Sequence, residues 1–184
     1  EAEQWVEQYG GECAANPFAA SNGADVVMNG VGNDDDVSSV AYGDEGIING
    51  LEKGALLGDH TTTANELALE LNDKCQAAGI GFIDAPVSGG QAGAENGALA
   101  IMIGGDEKHL AQGSMAIEPY AKTVTHMGAV GTGQLTKMVN QILIGGVLQG
   151  ISEGCTLAQK TDLDLLNVIN AIYGGSAGSW QLHN

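Results

Sequence analysis

Short apolar runs alternate with amphipathic, helix-forming stretches along the first half of the chain. The runs lie at residues 25–31, 56–62 and 80–84, and a helical stretch at 65–78, which ends at Gly79, separates the second run from the third. Strands that alternate with helices are typical of parallel βα units. The pattern therefore predicts an α/β fold built on a doubly wound sheet.

The same periodicities predict the elements around these runs. They are a helix at residues 1–9 that ends at Gly10 and Gly11, strands at 98–103 and 123–127, and a helix at 106–115. Thr62 and Thr63 directly precede the helix of residues 65–78, and we expect a threonine to cap it. Thr62 also lies at the carboxyl end of a strand, where ligands bind in sheets of this kind.

The last part of the chain carries one long helical pattern, from residue 132 to about 160. Four glycines at spacings of four or five interrupt it, and they are Gly145, Gly146, Gly150 and Gly154. Small residues on one stripe of a helix favour close approach by another helix or a strand, so we interpret the stripe as a packing feature. Asp162 is expected to cap a final helix that runs to about Tyr173.

The charge balance excludes several classes of partner. The chain has 23 acidic residues against 6 lysines and no arginine, which gives a formal net charge of -17. Nucleic acids and anionic membranes need a basic surface, so neither is expected as a partner. No apolar run reaches the ~18 residues of a membrane span, and the amino-terminal stretch is acidic rather than basic and then apolar. These features predict a soluble, cytoplasmic protein.

The spacing of cysteine, histidine and acidic residues predicts neither a metal site nor a disulfide framework. Cys13, Cys75 and Cys155 lie far apart without a CxxC pair, so reduced thiols are expected. The four histidines have no metal-ligand spacing, and we expect them on the surface or hydrogen-bonded in the core. The acidic run 34–36 is interpreted as a solvated loop. No metal is therefore expected.

A glycine-dense loop is the first candidate for a binding site. Residues 84–105 read DAPVSGGQAGAENGALAIMIGG, which places Ser88, Gly89 and Gly90 directly after an apolar strand. A hydroxyl next to unobstructed backbone amides is a natural receptor for a carboxylate or phosphate oxygen. Ser followed by paired glycines also occurs in ordinary tight turns, which is the alternative reading. Asp84 would orient this loop rather than react, because a carboxylate repels a bound acid.

A lysine near the start of the long helix is the second candidate. Residues 131–141 read GTGQLTKMVNQ and place Lys137 on the first turns of the helix, with Asn140 one turn further on the same face. A lysine whose pKa is lowered by burial can exchange a proton with a substrate hydroxyl. The alternative is a solvated surface charge. The two candidates predict a site in which Lys137 faces the loop of Ser88 across a small acid.

These motifs resemble those of the β-hydroxyacid dehydrogenases, the family of 3-hydroxyisobutyrate dehydrogenase and the tartronate semialdehyde reductases. The resemblance covers essentially the whole chain and rests on DAPVSGG with the following GA..NG.L..M.GG spacing, GTGQLTKMVNQ, DHTT and GSWQ. It implies a Rossmann-like dinucleotide-binding domain, a long helix and an all-helical domain that builds a homodimer. The domains expected here are an incomplete Rossmann-like domain at 1–130 and the long helix with the beginning of the helical domain at 131–184.

The resemblance also implies roles for individual residues. Lys137 corresponds to the family's catalytic lysine, and Ser88, Gly89 and Gly90 to its carboxylate-binding loop. Asn140 is expected to orient the lysine or bind the substrate hydroxyl. Gln141 stands where many relatives carry a second asparagine, so it keeps the amide but adds a methylene.

The implied cofactor is NAD or NADP. Val31 and Gly32 correspond to a cofactor-facing strand end, and Thr62 to a contact with the nicotinamide ribose or ring. Capping or packing is the alternative for each of the three. The family's GxGxMG phosphate turn would precede residue 1, and much of its helical domain would follow residue 184. The chain is therefore expected to be a piece of a longer protein, from a homo-oligomer.

The predicted function is hydride transfer between a nicotinamide cofactor and a small β-hydroxyacid or its semialdehyde. Two alternatives stay open. An imine reductase of the same superfamily is one, although those sites usually replace the lysine. A non-catalytic remnant that uses the scaffold for dimerisation is the other, and the missing phosphate turn favours it for this stretch of chain.

Overall fold

The computed structural model describes residues 2–183 of the chain. Within that range the strands are β1 (Val26–Asn29), β2 (Leu56–Asp59), β3 (Gly81–Asp84), β4 (Val87–Ser88), β5 (Leu99–Gly104) and β6 (Ala121–Gly128). All of them belong to one sheet, in which β1, β2 and β3 are neighbours and run parallel. The predicted α/β fold with a Rossmann-like sheet is confirmed.

The sheet changes direction beyond β3. Strand β5 runs antiparallel to both β3 and β4, and β6 pairs with its other edge in parallel. Asp84 pairs with Gly104 and Ser88 pairs with Ala100, so β3 and β4 keep one register against β5. The chain from β3 to β4 therefore acts as one extended strand that continues past the end of β2.

Helices fill the connections between the strands. They are α1 (Ala2–Tyr9), α2 (Pro17–Ser21), α3 (Asp34–Ala41), α4 (Ile47–Gly50), α5 (Asn65–Ala78), α6 (Gly90–Glu95), α7 (Glu107–Ile117), α8 (Thr132–Lys160), α9 (Leu165–Ile172) and α10 (Trp180–His183), with a short 3₁₀ helix at Glu118–Tyr120. The predictions of α1, α5, α7 and α8 are confirmed, apart from residue 1, which lies outside the described residues.

Two predicted helix caps are wrong. Helix α5 begins after Ala64 without a side-chain cap, and the Ala64 amide instead donates to the Asp34 carboxylate at 3.2 and 3.3 Å. Helix α9 is capped by Asp164, whose carboxylate accepts from Asn167, and not by Asp162. At α5 the place of the threonine is taken by Asp34, which lies 30 positions away from Ala64. At α9 the place of Asp162 is taken by Asp164, which is nearer to the helix.

Apolar side chains cover both faces of the parallel strands. Leu57 and Phe82 belong to a core cluster with Leu71 of α5, whereas their neighbours Leu56 and Ile83 belong to a second cluster with residues of β5 and α7. Adjacent residues of a strand point to opposite faces, which is why the buried strands read as continuous apolar runs. Polar side chains are thereby left to the strand ends.

The described residues divide into two compact units after Lys137. The first unit holds the sheet and the first turns of α8, and the second holds the rest of α8 with α9 and α10. Within the second unit an apolar cavity of about 470 Å³ is lined by Gly146, Gly150, Ile169 and neighbouring side chains. Apart from the neighbouring residues and backbone of α8 itself, no described atom lies within 4 Å of a Cβ built on any of the four glycines of the stripe, so the expected close packing there is not observed.

Candidate functional site

Polar side chains lie in register at the carboxyl ends of the three parallel strands. Asn29 pairs with Asp59, and Asp59 pairs with Asp84. The Asp59 carboxylate accepts from the Asn29 amide at 3.1 Å and from the Thr61 backbone N–H at 3.1 Å. Burial raises the pKa of Asp59, and these hydrogen bonds oppose the rise. The strand ends therefore form a continuous polar rim along one edge of the sheet.

Asp84 fixes the start of helix α8. Its carboxylate is fully buried and accepts from the backbone N–H of Gly131 at 2.7 Å and of Gln134 at 2.8 Å. Burial raises the pKa of Asp84, while the N–H groups that it accepts from stabilise its ionised form. A carboxylate at a helix amino terminus satisfies otherwise unpaired N–H groups. The sequence predicted only that Asp84 orients the loop of Ser88, whereas in the structure its carboxylate also anchors helix α8.

Lys137 follows one turn after this anchor and is buried, with 8% of its surface exposed. The other five lysines of the chain are exposed. Lys137 has no carboxylate partner among the described residues, and burial lowers its pKa. The alternative of a solvated surface charge is therefore wrong, because an ordinary surface lysine keeps its ammonium group in water.

Ser88 ends β4, and Gly89 and Gly90 follow it into helix α6. Both glycines have positive φ, 138° and 62°, a conformation that side chains rarely adopt. The serine is half-buried and the two glycines are exposed. The chain here passes from strand to helix, and both the carboxylate receptor and the ordinary tight turn remain open as readings of this loop. That Lys137 faces this loop stays a prediction, although Asp84 ties the strand leading to the loop to the helix of Lys137.

The candidate cofactor residues lie on the ends of β1 and β2. The Val31 N–H donates to the Thr61 hydroxyl at 3.1 Å, which joins the two strand ends. Thr62 is exposed between the buried Thr61 and Thr63, and it does not cap α5. A Cβ on Gly32 would lie 2.5 Å from the carboxylate of Asp36, an exposed side chain that is free to move, so this contact alone does not require glycine.

The surroundings of these strand ends bear on the binding of a dinucleotide. An exposed threonine and an exposed glycine lie beyond adjacent strand ends, where ligands bind in sheets of this kind. The helix that follows β1, however, begins with three aspartates, Asp34, Asp35 and Asp36. Carboxylates at a helix amino terminus repel a diphosphate. The amino terminus of α3 therefore does not fit the diphosphate of the cofactor, and contact between these strand ends and the nicotinamide stays a prediction.

The structure adds Gln134, a residue to which the sequence reasoning gave no role. Its side chain is fully buried, its oxygen accepts from the Thr63 N–H at 3.1 Å, and its nitrogen donates to the Thr61 carbonyl at 2.7 Å. The signal in the sequence was a polar residue three positions before Lys137 on a buried helix face. Asn140 and Gln141 lie beyond the division of the chain, where the Asn140 amide donates to the Gln141 side chain at 3.0 Å. Their roles stay predictions.

His60 is held by hydrogen bonds in the way that the sequence predicted for core histidines. Its Nδ1 donates to the Ala85 carbonyl at 2.6 Å, so Nε2 accepts from the Tyr120 hydroxyl at 2.8 Å. Burial lowers the pKa of His60. Within residues 2–183, no cluster of three or more histidines, cysteines or carboxylates is placed to hold a metal ion. No helix in that range has the length and apolar content needed to cross a membrane.

Comparisons with known proteins match each part of the chain to an NAD-binding family model. Residues 1–128 match the family model described as the NAD binding domain of 6-phosphogluconate dehydrogenase, and residues 131–184 match the one described as NAD-binding of NADP-dependent 3-hydroxyisobutyrate dehydrogenase. An uncharacterized oxidoreductase of Shewanella frigidimarina is 51% identical over 183 residues, which are 100% of this chain and 63% of that protein.

Named enzymes are among the relatives as well. The 3-hydroxyisobutyrate dehydrogenase of Pseudomonas aeruginosa is 32% identical over 97% of this chain and 59% of its own length. The solved structure of Mycobacterium tuberculosis 3-hydroxyisobutyrate dehydrogenase with L-serine superposes with a TM-score of 0.79 at 32% identity, over 91% of this chain and 56% of that one. This chain thus spans less than two thirds of each of these relatives. Together with the two family models, they show that the chain belongs to the β-hydroxyacid dehydrogenase family.

Proposed function

We propose that the protein containing this chain transfers hydride between NAD or NADP and a small β-hydroxyacid of the 3-hydroxyisobutyrate type, or the corresponding semialdehyde. The observation that carries this proposal is the buried lysine without a carboxylate partner, Lys137, on a helix anchored at the carboxyl edge of a dinucleotide-binding sheet. Burying an ammonium group without a partner is costly, and this cost supports a chemical role for the amine.

Lys137 acts in this proposal as the general acid and base. As a neutral amine it takes the proton of the substrate hydroxyl, and as an ammonium it returns that proton to the semialdehyde oxygen. The bound nicotinamide supplies the acceptor or donor of the hydride. Because burial lowers the pKa of Lys137, the neutral amine forms at a lower pH than for an exposed lysine. Oxidation of the hydroxyacid then rises with pH through that pKa, and reduction of the semialdehyde falls.

The remaining candidate residues bind and orient the substrate and cofactor. Ser88, Gly89 and Gly90 hold the carboxylate with a hydroxyl and backbone N–H groups. Asn140 and Gln141 bind the substrate hydroxyl side. The exposure of Gly89 and Gly90 and their freedom from side chains support the carboxylate role, and the name of the tuberculosis relative, studied with L-serine, fits an acid with a 3-hydroxyl group.

Val31, Gly32 and Thr62 are proposed to contact the nicotinamide and its ribose. Their place on the adjacent ends of β1 and β2 supports this role, because ligands of open α/β sheets bind outside the carboxyl ends of the strands. These three residues do not decide between NAD and NADP, because that preference depends on residues that contact the ribose of the adenosine.

The test is turnover by the whole protein, measured as the absorbance of reduced nicotinamide with 3-hydroxyisobutyrate, glycerate or 4-hydroxybutyrate. Lys137→Met should lower kcat by about 10²–10⁴-fold, the contribution of a positioned acid or base. The matched control is Lys160→Met, since that exposed lysine ends the same helix, and it should leave turnover unchanged. Equal turnover in the Lys137 variant and the wild type would refute the proposal.

The same assays separate the alternatives. A non-catalytic scaffold predicts no turnover and no titration with NADH or NADPH. An imine reductase predicts reduction of cyclic imines that survives in Lys137→Met, and the retained lysine disfavours it. We further propose a homo-oligomeric, cytoplasmic protein. The free thiols of Cys13, Cys75 and Cys155 support a reducing compartment, and sedimentation equilibrium of the whole protein would measure its assembly state.

A further inference from the structure

One buried amide joins the loop of the candidate cofactor residue to the helix of the candidate catalytic lysine. The Gln134 side chain accepts from the backbone N–H of Thr63 and donates to the backbone carbonyl of Thr61, at 3.1 and 2.7 Å. These two groups flank Thr62 on either side, and they lie 71 and 73 positions from Gln134 in the sequence. A single side chain thus fixes the backbone before and after Thr62.

The same residue is also tied to the strand that leads to the substrate loop. The backbone N–H of Gln134 donates to the Asp84 carboxylate at 2.8 Å. Lys137 follows three positions later, which places it on the neighbouring turn of the same helix face. Residue 134 therefore connects the end of β3, the loop after β2 and the turn that carries Lys137.

We propose that Gln134 is a positioning residue for hydride and proton transfer: its side-chain amide holds Lys137 at a fixed place relative to Thr62. This inference rests on the proposed function, in which the two residues serve the proton and the nicotinamide. Lys137 has a long, flexible side chain and no carboxylate partner in the described part of the chain, so its helix turn must supply the alignment. Displacement of a catalytic group by about 1 Å costs on the order of 100-fold in rate.

The chemistry of the two hydrogen bonds supplies a sharp test. Each bond needs a different group, an acceptor toward Thr63 and a donor toward Thr61. A neutral carboxylic acid provides both with nearly the same shape as an amide, whereas a carboxylate has no donor. In Gln134→Glu the pKa of the new acid should be raised, because the site is fully buried and the Asp84 carboxylate is bonded to the backbone of the same residue.

We therefore expect Gln134→Glu to work at low pH and to fail as the pH rises. The ratio of its kcat to that of the wild type should be near one at acidic pH and fall by roughly 100-fold once the introduced acid ionises. Gln134→Met, which loses both bonds, should show the low ratio at every pH. The same change at an exposed glutamine of α8, Gln149→Glu, is the matched control and should show a flat ratio near one.

A second readout follows the lysine itself and needs no turnover. Reductive methylation with ¹³C-labelled formaldehyde gives an NMR signal for each lysine of the whole protein that reacts, and of the six lysines in this chain five are exposed. The Lys137 signal, assigned with Lys137→Arg, should titrate at a lower pH than the others. In Gln134→Met the Lys137 signal should move toward the signals of the exposed lysines. In Gln134→Glu the same movement should occur only above the pH at which kcat falls.

The outcomes separate this inference from the function on which it rests. A flat kcat ratio for Gln134→Glu together with an unchanged Lys137 signal in both variants would overturn the positioning role. A pH-dependent ratio with a matching shift of the Lys137 signal would support it. Turnover that survives Lys137→Met would refute the proposed function alone, and the NMR titration would still report whether Gln134 fixes the lysine. If Gln134→Met fails to fold, Gln134→Glu at low pH provides a folded reference.

Discussion

The two parts of helix α8 differ sharply although they form one continuous helix. In the first turns, residues 132–137, polar groups are buried: Gln134 is fully enclosed and Lys137 nearly so. In the following turns apolar side chains are exposed, with Ile142 at 74% and Leu143 at 65% of their surface. Leu135 in the first turns is also 49% exposed, so the two parts differ in their buried polar groups and not in having exposed apolar side chains. In the described residues the start of α8 buries polar groups, and the turns that follow leave apolar side chains exposed.

The glycines of the helix show the same contrast. A Cβ built on Gly133 would lie 2.5 Å from the Met102 carbonyl oxygen and 2.7 Å from the Asp84 carboxylate. A Cβ built on Gly145 would meet no described atom within 4 Å. Glycine at the start of α8 therefore permits contact between the helix and the sheet, and glycine further along does not serve any contact in the described residues. A run of small residues in a sequence does not distinguish these two cases.

The strongest test of this contrast is alanine at Gly133. The added methyl group would overlap backbone atoms and the Asp84 carboxylate, so the helix must move away from the sheet and weaken its anchor. We expect the free energy of unfolding to fall by about 3 kcal/mol. Urea denaturation followed by circular dichroism would measure it.

Gly145→Ala is the matched control, because both positions lie in the same helix. It should raise the free energy of unfolding by about 0.5–1 kcal/mol, since alanine favours the helix and meets no neighbour. Equal destabilisation by the two substitutions would show that the two parts of α8 are not packed differently.

A second test removes one hydrogen-bond acceptor from the anchor. Asp84→Asn keeps the shape of the side chain but turns an NH₂ group toward one of the two backbone N–H donors. Leaving a buried donor unpaired costs about 1–3 kcal/mol, so unfolding should become easier by that amount.

Asp106→Asn is the control for this change. Asp106 is exposed, and although it precedes helix α7 its side chain accepts no capping hydrogen bond. Its substitution should alter the free energy of unfolding by less than about 0.5 kcal/mol. A similar effect at both aspartates would argue that Asp84 does not hold the helix.

The sequence predicted the parts of this site that depend on local pattern. Lys137 and Ser88 stood out because their motifs are long and uncommon, and α5 was predicted within its observed bounds because its periodicity is regular and Gly79 ends it. The antiparallel direction of β5 was not predicted, because periodicity reveals a strand and not its direction. Strand β4 was missed because two residues are too few to show any period.

The contacts that join distant segments explain the remaining failures. The partners of Gln134 lie more than 70 positions away, and the Asp34 carboxylate that binds the start of α5 lies 30 positions away. The sequence does not show whether a glutamine of this kind is solvated or is hydrogen-bonded to a distant loop, as Gln134 is to Thr61 and Thr63. Only the packing of β2, β3 and α8 against one another reveals which it is.

The smallest expected effect in the comparison is a gain of stability at Lys137. Because burial places the folded-state pKa of Lys137 below its ordinary value of about 10.4, the unfolded chain binds more protons over the interval between the two. The free energy of unfolding contributed by this residue therefore rises with pH across that interval, and the full cost of the buried ammonium is present at pH values below the folded-state pKa. Lys137→Met removes that cost and should stabilise the fold by on the order of 1 kcal/mol at pH 7, about 2–4 °C in Tm, with the gain shrinking at alkaline pH.

Lys160→Met, at the exposed end of the same helix, should change Tm little at any pH. A loss of stability in Lys137→Met at neutral pH would mean that the ammonium is stabilised where it lies, and that the start of α8 is not the strained, functional part of the helix.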